Sequence, residues 1–195
     1  MLHFVSKTYG QYCGVAKALD HIGDRWTLLI VRELLVNRRR YSEIRYALPG
    51  IATNLLATRL RDLELDGLVE KLPDGRYDLT AEGRELEPIV HALVRWGGRW
   101  MRKRGRNEEF RPEWLVVALR ALLPKRRTGK LELHVDGSVL HVDRGRVDLG
   151  PIEAPDAVVE AAAESVLAVA AGEAPLSRLK IHGKRGVVAM ILGVA

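Results

Sequence analysis

Between Asp24 and Thr80 three short helical patterns lead into a hairpin pattern, and the second is separated from the third by Pro49-Gly50, a pair that no helix absorbs comfortably. A helix stopped and restarted within a few residues must change direction, and this constrains the fold more than any other feature of the chain. The first pattern opens at Asp24, a natural cap, and sets Trp26, Leu29, Ile30 and Leu34 at spacings of three and four. After Arg38-Arg39-Arg40 a short helix is expected near Ser42, with Ile44, Ala47 and Leu48 inward. Thr53 is the expected N-cap of the third helix, whose buried stripe is Leu56, Leu60 and Leu63 and whose end is Gly67, suited to a left-handed backbone. Leu68-Val69-Glu70-Lys71-Leu72, a Pro73-Asp74-Gly75 turn and Arg76-Tyr77-Asp78-Leu79 read as a hairpin with Arg76 at its tip. A further helix starts at Thr80, holds Glu82 and Glu85 in its first turn, and carries apolar residues to Trp96.

Helix, tight turn, helix and hairpin form the order of a winged helix-turn-helix, which makes double-stranded DNA the expected partner. The third helix leaves Thr53, Asn54, Ala57, Thr58 and Arg61 outward. Asn and Arg read base edges in a major groove, and Thr meets a phosphate or a thymine methyl. Arg38, Arg39, Arg40, Ser42, Lys71 and Arg76 complete the expected DNA face as backbone-positioning contacts. The arginine run reads equally as a solvated loop. Arg59, between Leu56 and Leu60, reads as a DNA contact or as an ion-pair partner of Asp62 or Glu64. Charge agrees with DNA: residues 1–106 hold 19 Lys and Arg against 13 Asp and Glu, whereas residues 107–195 hold 12 against 12, so the whole net charge of +6 lies in the first half.

Several of these residues carry a family resemblance. Cys13-Gly14-Val15-Ala16-Lys17-Ala18-Leu19, Ile22-Gly23-Asp24-Arg25-Trp26-Thr27-Leu28-Leu29-Ile30, Tyr41-Ser42-Glu43-Ile44, the helix from Leu55 to Leu63, Gly67-Leu68-Val69 and Tyr77-Asp78-Leu79-Thr80-Ala81-Glu82-Gly83 together resemble the HxlR-type winged-helix transcription regulators of bacteria. The resemblance covers roughly residues 10 to 100. It implies a homodimer built from the first and last helices, a recognition helix, and operators with two-fold symmetry. It also implies a sensor role for Cys13, since several members sense oxidants or electrophiles through a cysteine there. From the residues alone, Cys13 on an apolar helix reads more readily as buried and inert. Trp96 and Trp100 read as dimer core.

Other classes are disfavoured. A single cysteine forbids an intramolecular disulfide and suits a reducing compartment. No signal peptide shows in the first ten residues, and the late apolar run at 186–195 is too short for a bilayer. The expected setting is the bacterial cytoplasm, at the nucleoid, without membrane association. Six scattered histidines make no metal-ligand pair, and no nucleophile-base pairing or phosphate-cradling loop is present, so no metal, no cofactor and no catalysis are expected.

With 195 residues the chain suits two domains, divided near the glycine-spotted basic stretch from Gly97-Gly98 through Arg99, Arg102, Lys103, Arg104 and Arg106, giving 1–104 and 105–195. Beyond it, Pro112 opens a helix over 113–123 with Trp114, Val117, Ala118 and Leu122 on one side. Three antiparallel strands follow, at 130–135, 138–142 and 146–149, joined by Asp136-Gly137 and Asp143-Arg144-Gly145. An Ala-rich helix is expected over 160–171 with Gly172 at its end, then a strand over 179–182 and a helix from Val187. His134 and His141 are expected as surface polar positions. This order, with Ala157-Val158-Val159-Glu160, Ala170-Ala171-Gly172-Glu173 and Leu179-Lys180-Ile181-His182-Gly183, resembles a shortened sterol-carrier-protein-2 type domain, which accompanies some actinobacterial regulators of the same family. A small hydrophobic ligand would then sit among Trp114, Leu115, Ala118, Leu133, Leu140, Val166, Leu167 and Met190. The expectation is an α+β protein: an N-terminal winged helix-turn-helix, mostly α with a β-hairpin wing, and a small C-terminal α+β domain with an antiparallel sheet. The resemblance implies a homodimeric transcription regulator, in the family most often a repressor. The alternatives are a DNA-tethered lipid-carrier or ligand-modifying protein, and a second half that only dimerises.

Overall fold

The computed structural model describes residues 8–101, 105, 108–124 and 127–194. The basic positions Arg102, Lys103, Arg104 and Arg106 lie outside the described residues. The chain divides into two compact units, Met1–Glu87 and Pro88–Ala195.

The first unit runs α1 (Gly14–Ile22), α2 (Thr27–Val36), β1 (Arg39–Arg40), α3 (Tyr41–Ala47), α4 (Thr53–Leu65), β2 (Val69–Lys71), β3 (Arg76–Leu79) and α5 (Ala81–Arg84). Its core holds much of what the periodicity marked, since Ile30 and Leu34 of α2, Ile44 of α3, and Leu56, Leu60 and Leu63 of α4 are all fully buried; on α2, however, Trp26 and Leu29 are only half-buried and Val31 and Leu35 are buried beside Ile30 and Leu34. Each fully buried side chain stabilises by about 1.5–3 kcal/mol relative to exposure. The hairpin exists as expected and gains a third strand, in the order β1-β3-β2, because Arg39 and Arg40 pair with Tyr77 and Arg76. Gly67 ends α4 at φ +70°, the left-handed conformation its position called for.

Three helix boundaries differ from expectation. Asp24 caps a turn rather than the helix: its Oδ1 accepts the Trp26 N–H at 2.8 Å, and α2 begins at Thr27. The N-cap of α4 is Ala52, with extended backbone, and Thr53 is the first helical residue. The helix from Thr80 is two helices. Thr80 caps α5 by accepting the Gly83 N–H at 3.0 Å, but α5 stops at Arg84 and a new helix, α6 (Glu87–Gly97), starts after it. Pro88 explains the break, since it has no N–H to give the carbonyl four residues back and tolerates only a first turn.

In the second unit, after α6, a 3-10 turn at Pro112–Trp114 leads to α7 (Leu115–Leu122), β4 (Lys130–Val135), β5 (Ser138–Asp143), β6 (Arg146–Leu149), β7 (Ala157–Ala161), α8 (Ala163–Ala170), β8 (Lys180–Gly183) and α9 (Arg185–Leu192). The five strands form one sheet in the order β6-β5-β4-β7-β8. It is antiparallel except for β4 and β7, which run parallel from Leu131↔Ala157 to Val135↔Ala161. Both meander turns have positive φ at their two central residues, Asp136-Gly137 and Arg144-Gly145, the backbone that matches strand twist in a two-residue hairpin.

One sheet face, with Leu131, Leu133, Val135, Leu140, Val142, Val147, Ala157 and Val159, is buried. Helix α7 lies against β6 and α8, and α9 lies against β4 and β7. The alternate residues make a polar face on which His134 Nε2 stands 2.7 Å from Glu132 Oε1; on the same face the half-buried His141 donates from Nδ1 to the Gly150 carbonyl at 2.9 Å. Two expectations are corrected here. The helix placed at 160–171 begins at Ala163, because Ala157 and Val159 alternate inward as a strand. Helix α7 buries Leu115, Val116, Val117, Leu119 and Ala121 rather than the side bearing Ala118 and Leu122, since it is packed on more than one side.

Candidate nucleic-acid interface

The turn between α3 and α4 is fixed by Tyr41, whose hydroxyl donates to the Thr53 carbonyl at 2.7 Å, and by the burial of Leu48 and Ile51 on either side of Pro49-Gly50. This aims the front of α4 outward. Thr53, Asn54, Ala57 and Arg61 are exposed and Thr58 is half-exposed, its hydroxyl donating to the Asn54 carbonyl at 2.9 Å. Because the capping position belongs to Ala52, the Thr53 hydroxyl is left at the first helical turn, where backbone N–H groups and the helix dipole favour an anion. Ser42 is exposed on the first turn of α3, and Arg40 and Lys71 are exposed beside the wing. Arg38 is exposed, with Nε 3.9 Å from Asp78.

Two expected contacts are turned inward instead. Arg39 packs back on α2, with Nε 3.4 Å from the carboxylate of Glu33, and Arg32 Nη2 lies 2.7 Å from the same carboxylate. Glu33 is 0% exposed, so this is a buried three-residue ion cluster that pins β1 to α2. Arg59 bridges Asp24 at 2.8 Å and Asp62 at 2.9 Å, tying α4 to the turn before α2. A third, Arg76, is engaged by Asp74 of its own turn at 2.7 Å. The sequence reading missed Glu33, Asp24 and Asp74 as partners. The Asp74-Gly75-Arg76 spacing could have revealed only the last.

Cys13 occupies the N-cap position of α1 and is exposed, which corrects its reading as a buried thiol. The backbone N–H groups of Ala16 and then Val15, at the open end of α1, hold its pKa below the ordinary thiol value. Helix α1 exposes Val15 and Leu19, with Tyr9 and Tyr12 ahead of it. Helix α6 exposes Ile89, Leu93 and Trp96. Trp96 meets Trp100 edge to face at 4.6 Å, and the Arg99 guanidinium lies over both rings at 5.5 and 5.2 Å.

Of the positions expected to line a ligand cavity, Leu115, Leu133, Leu140 and Val166 are 0% exposed and belong to the packed core of the second unit. Trp114, Ala118, Leu167 and Met190 are half-buried. An open hollow of about 720 Å³ lies elsewhere, between the segment 172–177 and α9, with Pro175, Leu176, Arg185 and Ala189 on its walls. Among the described residues no cluster of His, Cys, Asp or Glu could hold a metal ion, and no helix is long and apolar enough to cross a membrane.

Comparison with known proteins reaches the same half of the chain. The family model described as HxlR-like helix-turn-helix matches residues 21–105. The HTH-type transcriptional regulator sll1512 of Synechocystis is 35% identical over 98 residues, 47% of this chain and 73% of that protein. The HTH-type transcriptional regulator YvaP of Bacillus subtilis is 38% identical over 91 residues, 44% of this chain and 84% of that protein. Among solved structures, quinone-bound YodB from B. subtilis is 30% identical and spans 44% of this chain and 96% of its own, with a TM-score of 0.41. The chain carrying this exposed helix and wing therefore belongs to the HxlR-like helix-turn-helix family of transcription regulators.

Proposed function

We propose that the protein is a homodimeric repressor that reads a two-fold symmetric operator, with α4 in the major groove and the wing along the adjacent backbone. The observation that carries this is the front of α4: Thr53, Asn54, Ala57, Thr58 and Arg61 form one accessible polar face on a helix whose opposite stripe is fully buried. Arg38, Arg40, Ser42 and Lys71 border that face as phosphate contacts. The apolar side chains that α1 and α6 each expose supply dimer contacts, since a monomer rarely leaves such side chains in water. In this reading residues 1–104 bind DNA and dimerise, and residues 105–195 support assembly. The closure to solvent of Leu115, Leu133, Leu140 and Val166 favours that role over lipid carriage through an open cavity in the manner of a sterol-carrier domain. Cys13, exposed and with a lowered pKa, is the site at which modification alters operator affinity, by changing packing at the α1 surface.

The test uses the full chain. Duplexes selected from a random pool are expected to carry inverted half-sites about one helical turn apart, roughly 34–36 Å. Fluorescence anisotropy should show affinity falling with salt at a slope of about 0.9 per phosphate neutralised. Sedimentation should give a dimer. Selected sequences without symmetry, or binding indifferent to salt, would overturn the proposal.

A further inference from the structure

Arg76 is the cation that the hairpin brings to its tip, yet its guanidinium is engaged before any nucleic acid arrives. Nε donates to Asp74 Oδ2 at 2.7 Å, and Nη2 reaches the same oxygen. Asp74 Oδ1 in turn accepts the Arg76 backbone N–H at 3.0 Å. One carboxylate thus closes the turn and holds the Nε edge of the side chain, the edge an arginine uses for bidentate pairing with a phosphate. The hydrogen bond from Arg76 keeps the Asp74 carboxyl below the usual carboxylate range, and Arg40, paired with Arg76 across β1 and β3, lowers it further. Asp74 also raises the Arg76 pKa, with Glu43 and Asp78 adding to the effect. Asp74 is therefore the carboxylate that engages the wing's leading cation directly. On α4, by contrast, Arg61 is exposed and makes no ion pair among the described residues.

The geometry points to Asp74 as a charge restraint on the wing: a positioning residue that folds Arg76 back on its own turn and offsets its charge. The inference rests on the DNA-binding reading above and adds a division of labour to it. Sequence-independent attraction scales with the phosphates that free cations neutralise, whereas base readout comes from α4. A phosphate approaching the tip must share the guanidinium with Asp74 and meets the carboxylate's negative charge. Arg76 then contributes little indiscriminate affinity, and discrimination between operator and other duplex is left to the helix. An exposed pair of this kind adds little to folding, so its consequence lies in where the cation points.

The experiment measures binding of the full chain to a duplex of unrelated sequence by fluorescence anisotropy across a salt series. Asp74→Asn keeps a side-chain carbonyl to accept the Arg76 N–H, so the turn is retained while the charge is removed; Asp74→Ser is a second uncharged variant with a turn-forming acceptor. Both should bind more tightly than wild type and show a salt slope steeper by about 0.9, so their advantage shrinks roughly twofold with each doubling of salt. Adding Arg76→Ala to Asp74→Asn should return the slope to that of wild type. Uncharged variants that keep the wild-type slope, bind more weakly, or retain their gain without Arg76 would overturn the inference and leave the DNA-binding reading intact. A wild-type protein that binds no duplex would overturn both.

Discussion

Gly83 sits where α5 crosses the base of the wing, and replacing it by alanine tests how tightly that junction is built. A Cβ at this position would fall 1.9 Å from the Leu68 carbonyl oxygen, 2.9 Å from its carbon and 3.2 Å from Leu79 Cδ2. Such atoms do not approach within 3.0 Å, so α5 and the entry to β2 must separate by more than an ångström. The same carbonyl accepts the Thr80 N–H at 3.1 Å, and Thr80 Oγ1 accepts the Gly83 N–H at 3.0 Å while donating to the Gly67 carbonyl at 2.6 Å. Separation therefore costs about 1 kcal/mol for the backbone bond and about 1 kcal/mol for the cap, with a further ~1–3 kcal/mol of overpacking. Alanine recovers at most ~1 kcal/mol through helix propensity. The net loss is about 2–4 kcal/mol, which in a unit of this size lowers the melting midpoint by roughly 10 °C or more. Thermal unfolding followed by circular dichroism reads this directly. A midpoint within about 2 °C of wild type, or above it, would refute the reasoning, because the junction would then have slack that the distances deny.

Two further outcomes follow from charged groups. Glu33→Gln should destabilise the protein by about 3 kcal/mol, the low end for a broken buried pair because Arg32 and Arg39 keep partial contact with solvent; Arg39→Ala should likewise lower stability rather than operator selectivity, and urea midpoints equal to wild type in both would show that the cluster carries no weight. Cys13 should be alkylated by iodoacetamide with a pH midpoint below that of an ordinary thiol, because its pKa is lowered in the fold by the Ala16 and Val15 N–H groups. A lowered folded pKa means that the thiolate's contribution to stability is present above the unfolded thiol value and is lost as pH falls through the folded value. An alkylation midpoint at or above the ordinary thiol value would remove the structural basis for sensing.

The helix-turn-helix and wing were legible because their signals are local: Leu56, Leu60 and Leu63 declare a stripe, and Pro73-Asp74-Gly75 declares a turn. The direction of individual arginines was not. Arg39 finds Glu33 six residues back and Arg59 finds Asp24 thirty-five residues back, and neither separation corresponds to a local periodicity. The outward residues of α4 were readable by elimination once the buried stripe was known. In the second unit, Ala157-Val158-Val159-Glu160-Ala161 carries residues that favour a helix as much as a strand, and its parallel pairing with β4 is settled by tertiary contacts. A ligand cavity was not legible for a related reason: periodicity marks which residues turn inward, but whether they enclose space or fill it depends on partners from α7, α8 and the strands together.

The five-stranded sheet also bears on behaviour at high concentration. Its outer strands, β6 and β8, are only four residues each and carry Arg146, Asp148, Lys180 and His182, so the unpaired N–H and C=O rows at its margins are short and studded with charge. Strand addition between molecules needs long, flat, apolar margins. Crowding of many copies should therefore not seed fibres through this sheet.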